Sequence, residues 1–203
     1  MTTPKSSGSR RLVLVTAVAT ALLSVGSAAA ATAPAQDAQD TETVVSRDRN
    51  QPRLTHAQRR VLREATHRFR DVDAATAAGY VPTDDCVPGM GFHYGNPPLA
   101  GDLNIDPTLP EILVYEPTQD DSVRLVALEY FRADADGDKA TDDDRPTLFG
   151  HPFDGPMDGH PVPPGTPPMP VHYDLHVWLY KRNPAGELTP ENPEVDCPAD
   201  TGP

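Results

Sequence analysis

Ten residues near the end of the chain alternate with a period of two, and they constrain the fold more than any others. Val171, Tyr173, Leu175, Val177 and Leu179 make one set; His172, Asp174, His176, Trp178 and Tyr180 make the other. In a β-strand successive side chains point to opposite faces, so the first set predicts a face buried in a core. The second set then presents two imidazoles with a carboxylate between them, and an indole and a phenol beyond. Such a face can floor a metal or ligand site, and any fold must bury one side of this strand while providing for the polar groups on the other.

The front of the chain is of a different kind. Residues 1–11 are polar and basic, residues 12–25 are mostly apolar, and residues 27–33 are almost all small. That is the pattern of a secretory signal peptide, with a cut favoured after Ala30. The apolar run is too short for a spanning helix, and no later segment is apolar enough. Arg10 and Arg11 resemble part of a twin-arginine motif, so export runs by the Sec route or by the twin-arginine route. The expected location is outside the cell. The whole chain carries a formal charge of −13; residues 1–30 hold three basic residues and no acid, so the remainder carries −16. A surface of that sign excludes nucleic acid and anionic membranes as partners and leaves a small ligand or a metal ion.

Cys86 and Cys197 are the only cysteines. In an exported protein they favour one disulfide over a pair of metal-binding thiolates. Residues 31–53 are polar and acidic without apolar periodicity and read as a disordered spacer. A single domain is expected over 54–203. Thr55 and Gln58 make a capping box. Val61, Leu62, Ala65, Phe69, Val72 and Thr76 follow at helical spacing, and Gly79 is placed to end one amphipathic helix. Residues 111–116 and 123–131 predict a hairpin, and residues 92–94 a short strand. Residues 80–91 read as a lead-in, and 147–170 as an irregular Pro- and Gly-rich segment. The fold class is α+β: one helix packed on a small, mostly antiparallel sheet, with long loops and a Pro-rich C-terminal tail.

Strand geometry limits the site. His172 and His176 are about 13 Å apart at Cα in a regular strand, so one ion cannot take both without a bulge. Asp174 with either is the easier pair. Other ligands must come from elsewhere, with His93 first and Glu129 second. Glu129 stands on the strand face with Val123, Leu125, Ala127 and Phe131, where a carboxylate needs a partner. The expected metal site is therefore His93, Glu129, Asp174 and one or both of His172 and His176. Tyr94, His151, His160, Trp178 and Tyr180 are candidates to line or cover its pocket. Imidazole donors favour one zinc or copper ion over a hard cation. Asp134, Asp136 and Asp138 resemble a calcium loop, but Lys139 and Arg145 stand where its glycine and glutamate belong, which argues against calcium there. Nucleophile elbows, phosphate-cradling glycine loops and dinucleotide fingerprints are missing.

Residues 90–94, 110–117, 128–131 and 172–178 together resemble a group of exported bacterial proteins of unassigned function, with a likeness over most of 60–197. The resemblance implies secretion and one compact domain, and no particular chemistry. The expectation is thus a secreted protein that binds a divalent transition metal, with a mononuclear metalloenzyme as its catalytic form. The alternative is a non-catalytic extracellular structural or interaction protein whose histidines form a buried polar network.

Overall fold

The computed structural model describes residues 51–120, 122–160, 162 and 167–198. The expected signal peptide, 1–30, and most of the expected spacer, 31–53, lie outside the described residues. Three short α-helices, α1 (His56–Thr66), α2 (Val72–Ala77) and α3 (Pro97–Ala100), accompany eight strands. The strands are β1 (Val81–Val87), β2 (Gly91–Gly95), β3 (Ile112–Pro117), β4 (Val123–Ala133), β5 (Thr147–Leu148), β6 (His151–Pro152), β7 (Asp154–Met157) and β8 (His172–Val177). Six form one sheet in the order β1-β2-β3-β4-β8-β7, and β5 pairs with β6. Each paired neighbour is antiparallel. The α+β architecture with helix on sheet is therefore the observed one. Among the described residues no helix is long and apolar enough to cross a membrane.

The helical segment is broken where the sequence suggests continuity. The capping box at Thr55 and Gln58 starts α1. A 3-10 turn over His67–Arg70 then ends it, and Asp71 caps a new helix by accepting from the Asp73 amide at 3.0 Å. An aspartate that can bond the backbone two residues on offers the chain an alternative to continuing helix. The break rotates the apolar stripe: Leu62, Thr66, Phe69 and Ala75 are buried, whereas Val61 and Thr76 face solvent. The Tyr115 hydroxyl donates to the Phe69 carbonyl at 2.6 Å and ties this segment to the sheet.

Leu54, Leu62, Phe69, Leu113, Tyr115, Leu125, Leu128, Tyr130, Tyr173, Leu175 and Val177 belong to the main core. A second cluster of Val114, Val126, Ala127, Trp178 and Val195 covers part of the opposite side of the sheet. Both faces of β8 are therefore buried. A register shift between Val114 and Tyr115 in β3, opposite Ala127 and Leu125, creates this division. Leu125 falls in the main core and Ala127 in the second cluster, so Glu129 does not share a face with Leu125 as strict alternation predicts.

Other departures are local. Residues 81–87 form an edge strand rather than a lead-in, and the Pro- and Gly-rich stretch contributes β5, β6 and β7. Strand β8 ends at Val177, after which the Tyr180 amide donates to the Val126 carbonyl. The disulfide is formed: Cys86 and Cys197 lie 5.7 Å apart at Cα. It pins the tail, whose Val195 carbonyl accepts from the Gly89 amide and whose Asn192 amide donates to the Gly89 carbonyl. The bridge spans 111 residues. Replacing both cysteines by serine should lower stability by about 4–5 kcal/mol on the chain-entropy account. Urea denaturation measures this, and an unchanged midpoint would show that the tail's other contacts suffice.

Candidate metal centre

Three strands bring the polar groups to the face opposite the main core. Strand β2 carries His93, β4 carries Glu129, and β8 carries His172, Asp174 and His176. Glu129 is the cross-strand partner of His176. His93 pairs with Val114 one strand further along. Gly91 makes that placement possible. Its φ is +109°, and a Cβ there would lie 2.3 Å from the Tyr115 carbonyl oxygen, so only glycine lets β2 begin so close to β3.

The five expected ligands fall into two groups, the second of which also takes in His160, expected only to line the pocket. An inner group holds His93, Glu129 and His176, and an outer group holds His160, His172 and Asp174; within each, one donor atom per residue lies within 4.8 Å of the others. Either group could hold a metal ion. In the inner group His93 Nε2 is 3.4 Å and His176 Nε2 is 3.5 Å from Glu129 Oε2. Ligand atoms bonded at about 2.1 Å to a tetrahedral ion are about 3.4 Å apart along each edge. The measured spacings are those of such an edge. His172 and His176 stand in different groups, as their strand spacing requires. Asp174 Oδ1 lies 3.9 Å from His176 Nδ1 and so stands between the groups.

These atoms are buried and unanswered. Glu129 Oε2, both ring nitrogens of His176, His172 Nε2 and Asp174 Oδ1 have no hydrogen-bond partner. His176 is 1% exposed, and Glu129 4%. An unsatisfied buried polar atom costs about 1–3 kcal/mol, so several at one spot call for a ligand. Burial also decides protonation. It lowers His93 to about 4, aided by His160, and lowers His176 to about 3, aided by His93 and His160. It raises Glu129 well above the carboxylate range, with Asp174 and Glu111 adding to the effect. Asp174 is pushed up to about 7 by burial and then by Asp154. Without a cation, burial thus favours neutral imidazoles at His93 and His176 and disfavours the charged form of Glu129.

The rest of the face bounds the site. Trp178 stacks on His176 with ring centroids 6.4 Å apart, and its indole N–H donates to the Thr189 carbonyl at 2.7 Å. Phe131 lies 5.0 Å from the His172 ring. Two aromatic candidates sit elsewhere. Tyr94 packs on Tyr115 at the main core, 4.7 Å between centroids. Tyr180, beyond the end of β8, bonds Thr66 at 2.9 Å and lies under the Arg63 guanidinium. Both miss the polar face, the first because it follows His93 in a strand and the second because the alternation stops at Val177. His151 lies half-buried in β6 and joins neither group. Asp134, Asp136 and Asp138 do not form a metal-holding group among the described residues. Asp136 and Asp138 instead accept the backbone N–H groups of Asp138 and Ala140 at 2.8 and 3.0 Å.

Sequence reasoning missed Asp154, the cross-strand partner of Asp174, because β7 lies in a Gly- and Pro-containing run with no visible alternation. It also missed Glu111, which is buried and accepts from the Phe131 amide at 3.1 Å. Comparison of the chain with protein-family models, curated proteins and solved structures found no match.

Because burial disfavours the Glu129 anion in the metal-free protein, Glu129→Gln, which keeps the shape without the charge, should change its stability at pH 7 by less than about 1 kcal/mol. Thermal unfolding in chelator checks this. A loss several times larger would show that the two histidines hold Glu129 as an anion.

Proposed function

We propose that this is an exported protein that binds a divalent transition metal, zinc or copper, through His93, Glu129 and His176. The observation that carries the reading is that the buried, unpartnered Glu129 Oε2 and His176 Nε2 meet the half-buried His93 Nε2 at the spacing of a tetrahedral edge. A self-contained polar network would pair these atoms with one another. Two imidazoles and one carboxylate favour zinc or copper over calcium or magnesium, which take oxygen. Asp174 Oδ1 stands 3.9 Å from His176 Nδ1 on the far side of that ring, beyond hydrogen-bond reach but on the side from which a carboxylate orients a ligating imidazole. Three protein ligands leave a fourth position for water or a small ligand, as in catalytic rather than closed structural sites. The disulfide agrees with an oxidising compartment.

Elemental analysis of the protein purified without chelator should find a transition metal that survives dialysis. His93→Ala and His176→Ala should each lower the bound metal by one equivalent. An unchanged metal stoichiometry in both variants would sink the assignment and leave the histidines as braces of the fold.

The shifted acids set the pH dependence. Metal favours the Glu129 anion that burial disfavours, while His93 and His176 are already neutral above about 4. Zinc affinity should therefore rise with pH from 5 to 8, with proton release visible by calorimetry in buffers of different ionisation enthalpy. In the metal-free protein Asp174 contributes stability below its unfolded pKa near 4, and the contribution is lost as pH rises to about 7. The two histidines act oppositely, losing stability as pH falls from 6.5 through about 4 and about 3. The thermal shift on adding zinc should consequently widen as pH rises. A shift constant from pH 5 to 8 would show that no proton on these acids competes with the metal.

A further inference from the structure

We propose that a second divalent ion of the same class binds between His160, His172 and Asp174, so that the face holds a two-metal centre. The pairing of two ions rests on the inner site proposed above, whereas the outer ion needs only its own three residues.

The outer group is built for a cation. His172 is fully buried and Asp174 is 5% exposed. His172 Nδ1 lies 3.0 Å from the Pro170 carbonyl, which is an acceptor only, so the ring hydrogen sits on Nδ1. His172 Nε2 is then a bare lone pair without a partner, and Asp174 Oδ1 is a second acceptor without one. Two buried residues with unpartnered acceptors, whose donor atoms lie within 4.8 Å, call for a proton donor or a metal, and a backbone carbonyl fixing the far nitrogen is the usual support of a ligating histidine. An ion in the inner group does not answer them. It would sit at Glu129 Oε2 and His176 Nε2, and His172 is about two strand repeats away from His176. Asp154, directly across from Asp174, adds carboxylate charge to the outer side.

His160 completes this group from a loop. Its ring centroid lies 5.4 Å from that of His172. Gly159 fixes it there, because a Cβ on Gly159 would fall 2.0 Å from the Met169 carbonyl oxygen. The His160 amide also donates to Met169 Sδ at 3.4 Å. His160 is exposed whereas His93, Glu129 and His176 are buried or nearly so. The outer ion therefore exchanges faster than the inner one. Asp174, between the groups, couples them.

The test is a cobalt titration of the metal-stripped full chain, followed by ligand-field absorbance with bound metal counted by elemental analysis. Two equivalents are expected, filled in two phases. His160→Ala and Gly159→Ala should each leave one, the first by deleting an exposed ligand and the second by displacing it. His93→Ala should also leave one, now the outer ion. A single equivalent abolished by His93→Ala would overturn the second ion while the inner site stood. Two equivalents untouched by both His160→Ala and Gly159→Ala would overturn it as well. One equivalent lost in His160→Ala but kept in His93→Ala would support the outer ion and reject the inner.

Discussion

The pairing of β4 with β8 is the contact on which the rest of the structure depends. Its register sets Leu128 against Val177 and Tyr130 against Leu175 on one face, and Glu129 against His176 on the other. The apolar pairs drive association, and their burial forces the carboxyl and the imidazole to share a dry space. A slip of one residue would turn the polar set into the main core. The same pairing therefore secures the core and assembles the site.

A two-layer α+β domain often leaves one sheet face to solvent. Here the tail closes that option. Cys197 is fixed to Cys86 on the edge strand β1, and Val195 packs with Trp178, Val114, Val126 and Ala127. Trp178 in turn lies on His176. The roof removes water from the inner group, and desolvation is the largest cause of the shifts at His93, Glu129 and His176. Low dielectric makes each of these groups costly in its charged form and strengthens its interaction with a cation.

Much of this was legible from residue order. The alternation in 171–180 pointed to β8 and the make-up of its two faces, although the strand stops at Val177; the strong apolar runs pointed to the β3–β4 hairpin, and the pair of cysteines to the bridge. The limits were equally physical. Asp71 ended one helix and began another by a local bond that apolar periodicity does not register. The bulge opposite Leu125 and Ala127 reversed the face of one strand half without any glycine or proline to mark it. Strand β7 had no alternation to read, because its residues are half-buried throughout.

By itself the sequence determined which side chains share each face of β8 and that His172 and His176 could meet on one ion only across a bulge, since both follow from the fixed rise and two-residue period of a strand. It also determined that Glu129 needed a partner. Only the tertiary structure decided which partner each group received. Strand order placed His93 within 3.4 Å of Glu129, and loop packing at Gly159 brought His160 to His172. Those are contacts between residues far apart in the chain, set by register, bulge and roof together, and no local pattern encodes them.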